Sequence, residues 1–153
     1  MTKNWKENLA SFFEGYRIIE RSKEETLKNF DQFCEFVAEP AFESLQQELK
    51  NYRISSKTKI SSGRSITFQI NFPKSRIENF IYTIRFPRNS IELQLKLVIR
   101  GRRNKKSSIE ENEIPFMKDV VPTEVMKIKI EDLIQDVIEQ YRNFCFESAT
   151  QSE

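Results

Sequence analysis

The hydrophobic positions change their period twice along the chain. From about residue 2 to 52 they recur every three or four residues, from about 53 to 121 they alternate, and from about 129 to 146 the helical spacing returns. In the first stretch Trp5, Leu9, Phe12, Tyr16 and Ile19 form one stripe, widened by Phe13, while Lys6, Glu7, Glu14 and Arg17 fall off it. Gly15 weakens that helix. Ser22-Lys23-Glu24-Glu25 reads as a capping box and predicts that a second helix starts at Ser22. Leu27, Phe30, Phe33, Cys34 and Val37 carry the second helix to Pro40, which must kink or restart it, having no amide proton to give. Ala41, Phe42, Leu45 and Leu49 then resume the spacing to about Tyr52.

Ile54 and Ile60 bracket Ser56 and Thr58 on one face of a weak strand, and Ser62-Gly63 supplies a turn. Ile66, Phe68, Ile70 and Phe72 alternate with polar residues up to Pro73. Phe80, Tyr82, Ile84 and Phe86 do the same up to Pro87, and Ile91, Leu93, Leu95, Leu97 and Ile99 make a fourth run. Strict alternation gives each strand one dry and one wet face, and the short connections favour hairpins over parallel crossovers. Residues 101–113 have no period and read as a loop or a long hairpin tip. Ile114 to Val121 predicts a fifth strand, placed at an edge because Pro115 interrupts it. Met126 to Ile130 fits a strand or the lead into a helix, after which Leu133, Ile134, Val137, Ile138 and Tyr141 mark a secure helix.

Helices, then grouped strands, then a helix indicate an α+β class: an antiparallel sheet of four to five strands, with the N-terminal helices and one C-terminal helix packed mainly on one face. Residues 1–153 are expected to form a single domain, with a helical part at about 2–52, a sheet at about 53–121 and the last helix at about 129–146. The composition agrees with a globular fold, at 38% hydrophobic, 12% aromatic and 31% charged residues. Thirteen Phe against three Gly point to a core filled by rings.

The sequence contains no run near the ~20 apolar residues of a spanning helix, and charges interrupt the N-terminal segment where a secretory signal would be apolar. No membrane association is expected. Cys34 and Cys145 fall on predicted helices among apolar neighbours and read as buried thiols, so a cytoplasmic location is the expectation. The 25 basic and 23 acidic residues leave a net charge of +2, which gives no global argument for nucleic acid.

Histidine is absent, which removes the commonest general base and the familiar nucleophile pairs. Gly15, Gly63 and Gly101 are isolated, so no phosphate-cradling loop is formed, and no cofactor is expected. Asp132, Asp136 and Glu139 share a helix face but read as a solvated stripe, and nothing else points to an enzyme or a metal site. The repeated Phe72-Pro73 and Phe86-Pro87 read as strand terminators.

Three surfaces remain as candidates. Trp5, Phe12, Phe13 and Tyr16 exceed what a marginal N-terminal helix needs and suit an interface with a protein partner or a second copy of the chain. Arg100, Arg102, Arg103, Lys105 and Lys106 could contact phosphates, aided by Lys57, Lys59, Arg85 and Lys96 on the wet face. Against this, the wet face lacks rings for base stacking, and the acidic run that follows could fold back on the cluster. Phe68, Tyr82 and Leu95 could line an apolar pocket between sheet and helices, with Ser56 or Thr58 as further polar anchors. The leading reading is a non-enzymatic interaction or accessory domain acting through protein–protein contacts. Nucleic-acid binding through residues 100–106 is second, and a small apolar ligand is third.

Overall fold

The computed structural model describes residues 4–61, 63–71, 78–86, 95–101, 110–117 and 120–150. Asn4 caps the first helix, its Oδ1 accepting from the Lys6 amide at 3.0 Å. Helix α1 then runs unbroken from Trp5 to Phe33. The start predicted at Ser22 is overturned. The Ser22 hydroxyl donates to the Ile18 carbonyl at 3.0 Å, and Thr26 donates to the Ser22 carbonyl at 2.7 Å. Both hydroxyls thus bond back one turn, as Ser and Thr do inside a helix, and cap nothing.

Pro40 neither stops the chain nor starts an independent helix. One π-helical turn, Cys34–Ala38, precedes α2, Glu39–Lys50, and the Glu39 amide reaches back five residues to the Cys34 carbonyl. The wider turn absorbs the proline, and it moves the buried stripe from Phe30 and Phe33 to Ala38, Ala41, Phe42 and Leu45. Beyond α2, Arg53 takes a left-handed φ of 60°. The Ile54 amide donates to the Leu49 carbonyl and the Arg53 amide to that of Lys50, both at 3.0 Å, a Schellman termination that turns the chain into the sheet.

One antiparallel sheet follows in the order β1-β2-β3-β4-β5, so every strand pairs with its neighbour in sequence. The strands are β1 Ser56–Ser61, β2 Ser65–Asn71, β3 Glu78–Arg85, β4 Lys96–Gly101 and β5 Glu110–Pro115. Gly63, at φ 71°, forms the first turn, closed by the Arg64 amide on the Ser61 carbonyl at 2.9 Å. The fifth strand does lie at an edge, but it is made from Glu110–Pro115 and not from 114–121. Its acidic start hides the strand in the sequence, because Glu111 pairs opposite Arg100 and Glu113 opposite Val98. The fourth strand's predicted start, 91–94, lies outside the described residues.

The register puts Phe68 opposite Tyr82 and Ile66 opposite Ile84 on the inner face, with Ile99 and Leu97 beyond them. Helix α3, Ile130–Thr150, follows a 3-10 turn at Pro122–Lys127, which answers the ambiguity at Met126–Ile130 in favour of a helical lead-in. Helices α2 and α3 both cover that inner face. Phe42 of α2 stacks on Phe68 at 5.0 Å and meets Tyr82 edge-on at 6.1 Å. Phe80 packs between Tyr141 and Phe144 of α3 at 5.2 and 5.4 Å. The end of α1 adds Phe30, stacked on Phe86 at 5.0 Å. Each such ring contributes about 1.5–3 kcal/mol through burial, and each ring pair adds roughly 0.5–1.5 kcal/mol.

Candidate functional site

Helix α1 divides sharply between a buried end and a bare one. Thr26, Phe30 and Phe33 are its buried residues, and upstream the same stripe stands exposed. Trp5 is 67% exposed, Phe12 61%, Tyr16 54%, Phe13 52%, Leu9 48% and Ile19 45%. At 1.5 Å per residue, Trp5 to Ile19 makes an arm about 22 Å long. The rings touch one another: Phe13 meets Phe12 edge-on at 5.3 Å, and Tyr16 lies 6.3 Å from Phe12. The Lys6 ammonium sits 5.6 Å from the centre of the Trp5 ring. A helix gains most of its stability from covering its apolar face, and this one has left that face in water. All four predicted interface residues therefore lie together on one exposed surface.

The basic candidates are divided. Arg100 is exposed at the end of β4, directly across from Glu111, while Arg102, Arg103, Lys105 and Lys106 lie outside the described residues. Lys96 forms an ion pair with Glu113 at 3.5 Å on the same outer face. Glu111 and Glu113 thus bring acidic charge beside the basic residues of β4 and offset their field. The outer face carries no aromatic side chain among the described residues, and Val98 and Gln69 on it are buried.

Phe68, Tyr82 and Leu95 are core residues, with Phe68 and Tyr82 fully enclosed. The Tyr82 hydroxyl donates to Asp136 Oδ2 at 2.5 Å, so the anchor foreseen for a ligand is already occupied by the protein. Asp136 consequently leans under the sheet from the acidic stripe, while Asp132 takes the Lys129 amide at 3.2 Å and caps α3. Burial, then the Asp136 charge and hydrogen bond, pushes the Tyr82 phenol well above its ordinary range. Of the further anchors, Ser56 has a buried hydroxyl oxygen with no hydrogen-bond partner.

A cleft of about 350 Å³ lies elsewhere, between the π turn and the β1–β2 turn, lined by Phe30, Asp31, Cys34, Glu35, Glu39, Ile60, Ser61, Gly63 and Ser65. Sequence reasoning missed it, because the π turn that shapes it is not visible in residue spacing. Its thiol is not a nucleophile at neutral pH. Burial, and then the carboxylates of Asp31 and Glu39, push Cys34 up to about 12. Cys145 is also a free thiol. Among the described residues, no group of three or more acidic or thiol side chains is placed to hold a metal ion, and no helix is long and apolar enough to cross a membrane.

Compared with known proteins, the chain matches no family model, no curated protein and no solved structure.

Proposed function

We propose that this protein is an interaction domain that docks to protein through the aromatic arm of α1. What supports the reading is one observation: six large side chains, Trp5 to Ile19, stand 45–67% exposed along one face of a helix whose other end is sealed into the core. Scattered exposed apolar residues are ordinary, but a contiguous aromatic stripe marks an interaction surface. Trp and Tyr are also the side chains that most often dominate interface energies. The sheet and α2–α3 then act as the scaffold that holds the arm out. The polar side of the arm mixes Lys6 and Arg17 with Glu7 and Glu14, a pattern that suits a protein surface better than an anionic bilayer.

A photo-crosslinking residue placed at Phe12 of the full chain tests this in the cells that express it. Discrete protein adducts that disappear when the probe is moved to outward-facing Lys57 are expected. A probe at position 12 that captures no protein overturns the reading.

A further inference from the structure

The arm has a pattern that names its occupant. Leu9, Tyr16, Lys23 and Phe30 recur every seven residues, and so do Trp5, Phe12, Ile19, Thr26 and Phe33. These two rows make a heptad seam, the pattern by which one helix packs along another. Among the described residues the seam is covered only at its far end, where Thr26, Phe30 and Phe33 are buried. We infer that the exposed half is covered by the same half of a second copy of this chain, running antiparallel. This rests on the proposed function and names its partner.

Charge and shape select that arrangement. A parallel pair would bring Lys23 against Lys23 of the second copy inside the seam. The antiparallel pair sets Leu9 against Ile19 and Phe12 against Tyr16 of the second copy, and places Trp5 over the second copy's Lys23, a favourable cation–π contact. On one flank Lys6, Phe13 and Glu20 are seven residues apart, so Lys6 meets Glu20 of the second copy while the two Phe13 rings meet at the twofold axis. Glu20 already lies 3.7 Å from Lys23, and Lys6 already covers Trp5, so each end of the pair closes as a four-residue cluster, Trp5 and Lys6 of one copy with Glu20 and Lys23 of the other.

Two further facts fit this register. Gly15 sits in mid-helix, where glycine is unfavourable, and a Cβ built there meets nothing within 4 Å, so the monomer gives no reason for it. In the antiparallel pair Gly15 faces Gly15 of the second copy, leaving room for the crowded rings of the Phe12–Tyr16 layers. The lengths also agree: Trp5 of one copy reaches Lys23 of the other, three residues before Thr26 enters the core. Four aromatic and two aliphatic side chains at 45–67% exposure, on two copies, reach the order of 1,000 Å² expected of a specific interface. Ile18 stands off the seam and takes no part.

Sedimentation equilibrium of the full chain in reducing buffer tests the pairing, with the fluorescence of Trp5, the chain's one tryptophan, as a second readout. At about 100 µM, well above a micromolar Kd, the mass is expected at twice 18.3 kDa, with Trp5 emission shifting blue as concentration rises. Lys6→Glu and Glu20→Lys should each weaken association about tenfold, and the double variant should restore it. Within one chain these residues lie about 21 Å apart along the helix, so the rescue cannot arise internally. Circular dichroism of each variant shows whether the fold is retained. A monomer at every concentration, or a dimer indifferent to all three variants, overturns the pairing. If the Phe12 probe then still captures other proteins, the interaction reading survives without self-association; if it captures nothing, both fail.

Discussion

The hydroxyl of Tyr82, in the third strand, donates to the carboxylate of Asp136, in the last helix, at 2.5 Å. It ties sheet to helix at a point where the tyrosine is fully enclosed. Tyr82→Phe keeps the ring packing against Phe42 and removes only this charge-assisted bond. We expect a loss of about 1–2 kcal/mol, Asp136 being partly exposed, read as a lower urea midpoint with unchanged slope.

The same contact sets an alkaline limit. Burial first, and Asp136 second, hold the Tyr82 phenol neutral well above its ordinary range. Burial first, and then Cys145, pushes Tyr141 up to about 12. Both pKa values are higher in the fold than in the unfolded chain, where tyrosine ionises near ~10. Their contribution is therefore complete below about pH 10 and is lost as pH rises through the folded values. The urea midpoint should hold steady to about pH 9 and fall between about pH 10 and 12, less steeply in Tyr82→Phe. A midpoint that instead rises across that range would contradict the burial of Tyr82.

The sheet was legible because alternation reports burial directly. Phe68, Tyr82, Ile84 and Leu97 all turn inward as their spacing predicts. The strand at Glu110–Pro115 was not, because its outward residues are glutamates that pair across to β4 and leave no apolar rhythm. Ser22 misled for a local reason. The sequence S-x-x-E is the same whether serine caps a helix or bonds back within one, and only the stripe that continues from Ile19 through Thr26 to Phe30 distinguishes them. The Tyr82–Asp136 bond joins residues 54 apart, a contact that no local pattern encodes. The arm's aromatics were visible, but their exposure was not, because a stripe reads alike whether its cover is the chain itself or another molecule.

Arg53 closes α2 in a left-handed conformation, at φ 60°, that a side chain disfavours and glycine accepts. Arg53→Gly relieves that strain, and the greater freedom of the unfolded glycine chain offsets part of the gain. A net stabilisation of about 0.5–1 kcal/mol is expected, or roughly 2–3 °C in Tm for a domain of this size. A fall in Tm would show that Arg53 contributes a contact worth more than the strain.

Cys34 should resist modification while the fold is intact. It is buried, and its thiol, pushed up to about 12, holds its proton at neutral pH. Labelling by a thiol reagent at pH 8 is expected to be slow for Cys34 and to become fast only in denaturant. Cys145 is less buried, with its thiol raised first by burial and eased by a hydrogen bond from Tyr141, so it should label first. Equal rates for the two would mean that the π turn opens readily.

Gly15→Ala separates the monomer from the pair. Alanine favours a helix interior over glycine by about 1 kcal/mol, and Gly15 has open space around its Cβ position. In dilute solution, where chains are apart, the variant should raise the helical signal in far-ultraviolet circular dichroism. At concentrations where two arms meet, the added methyl groups face each other beside the Phe12–Tyr16 layers, and association should weaken. These effects have opposite signs, so neither a general stabilisation nor a general defect reproduces them. A variant that gains helicity and also associates more tightly would place Gly15 away from the seam.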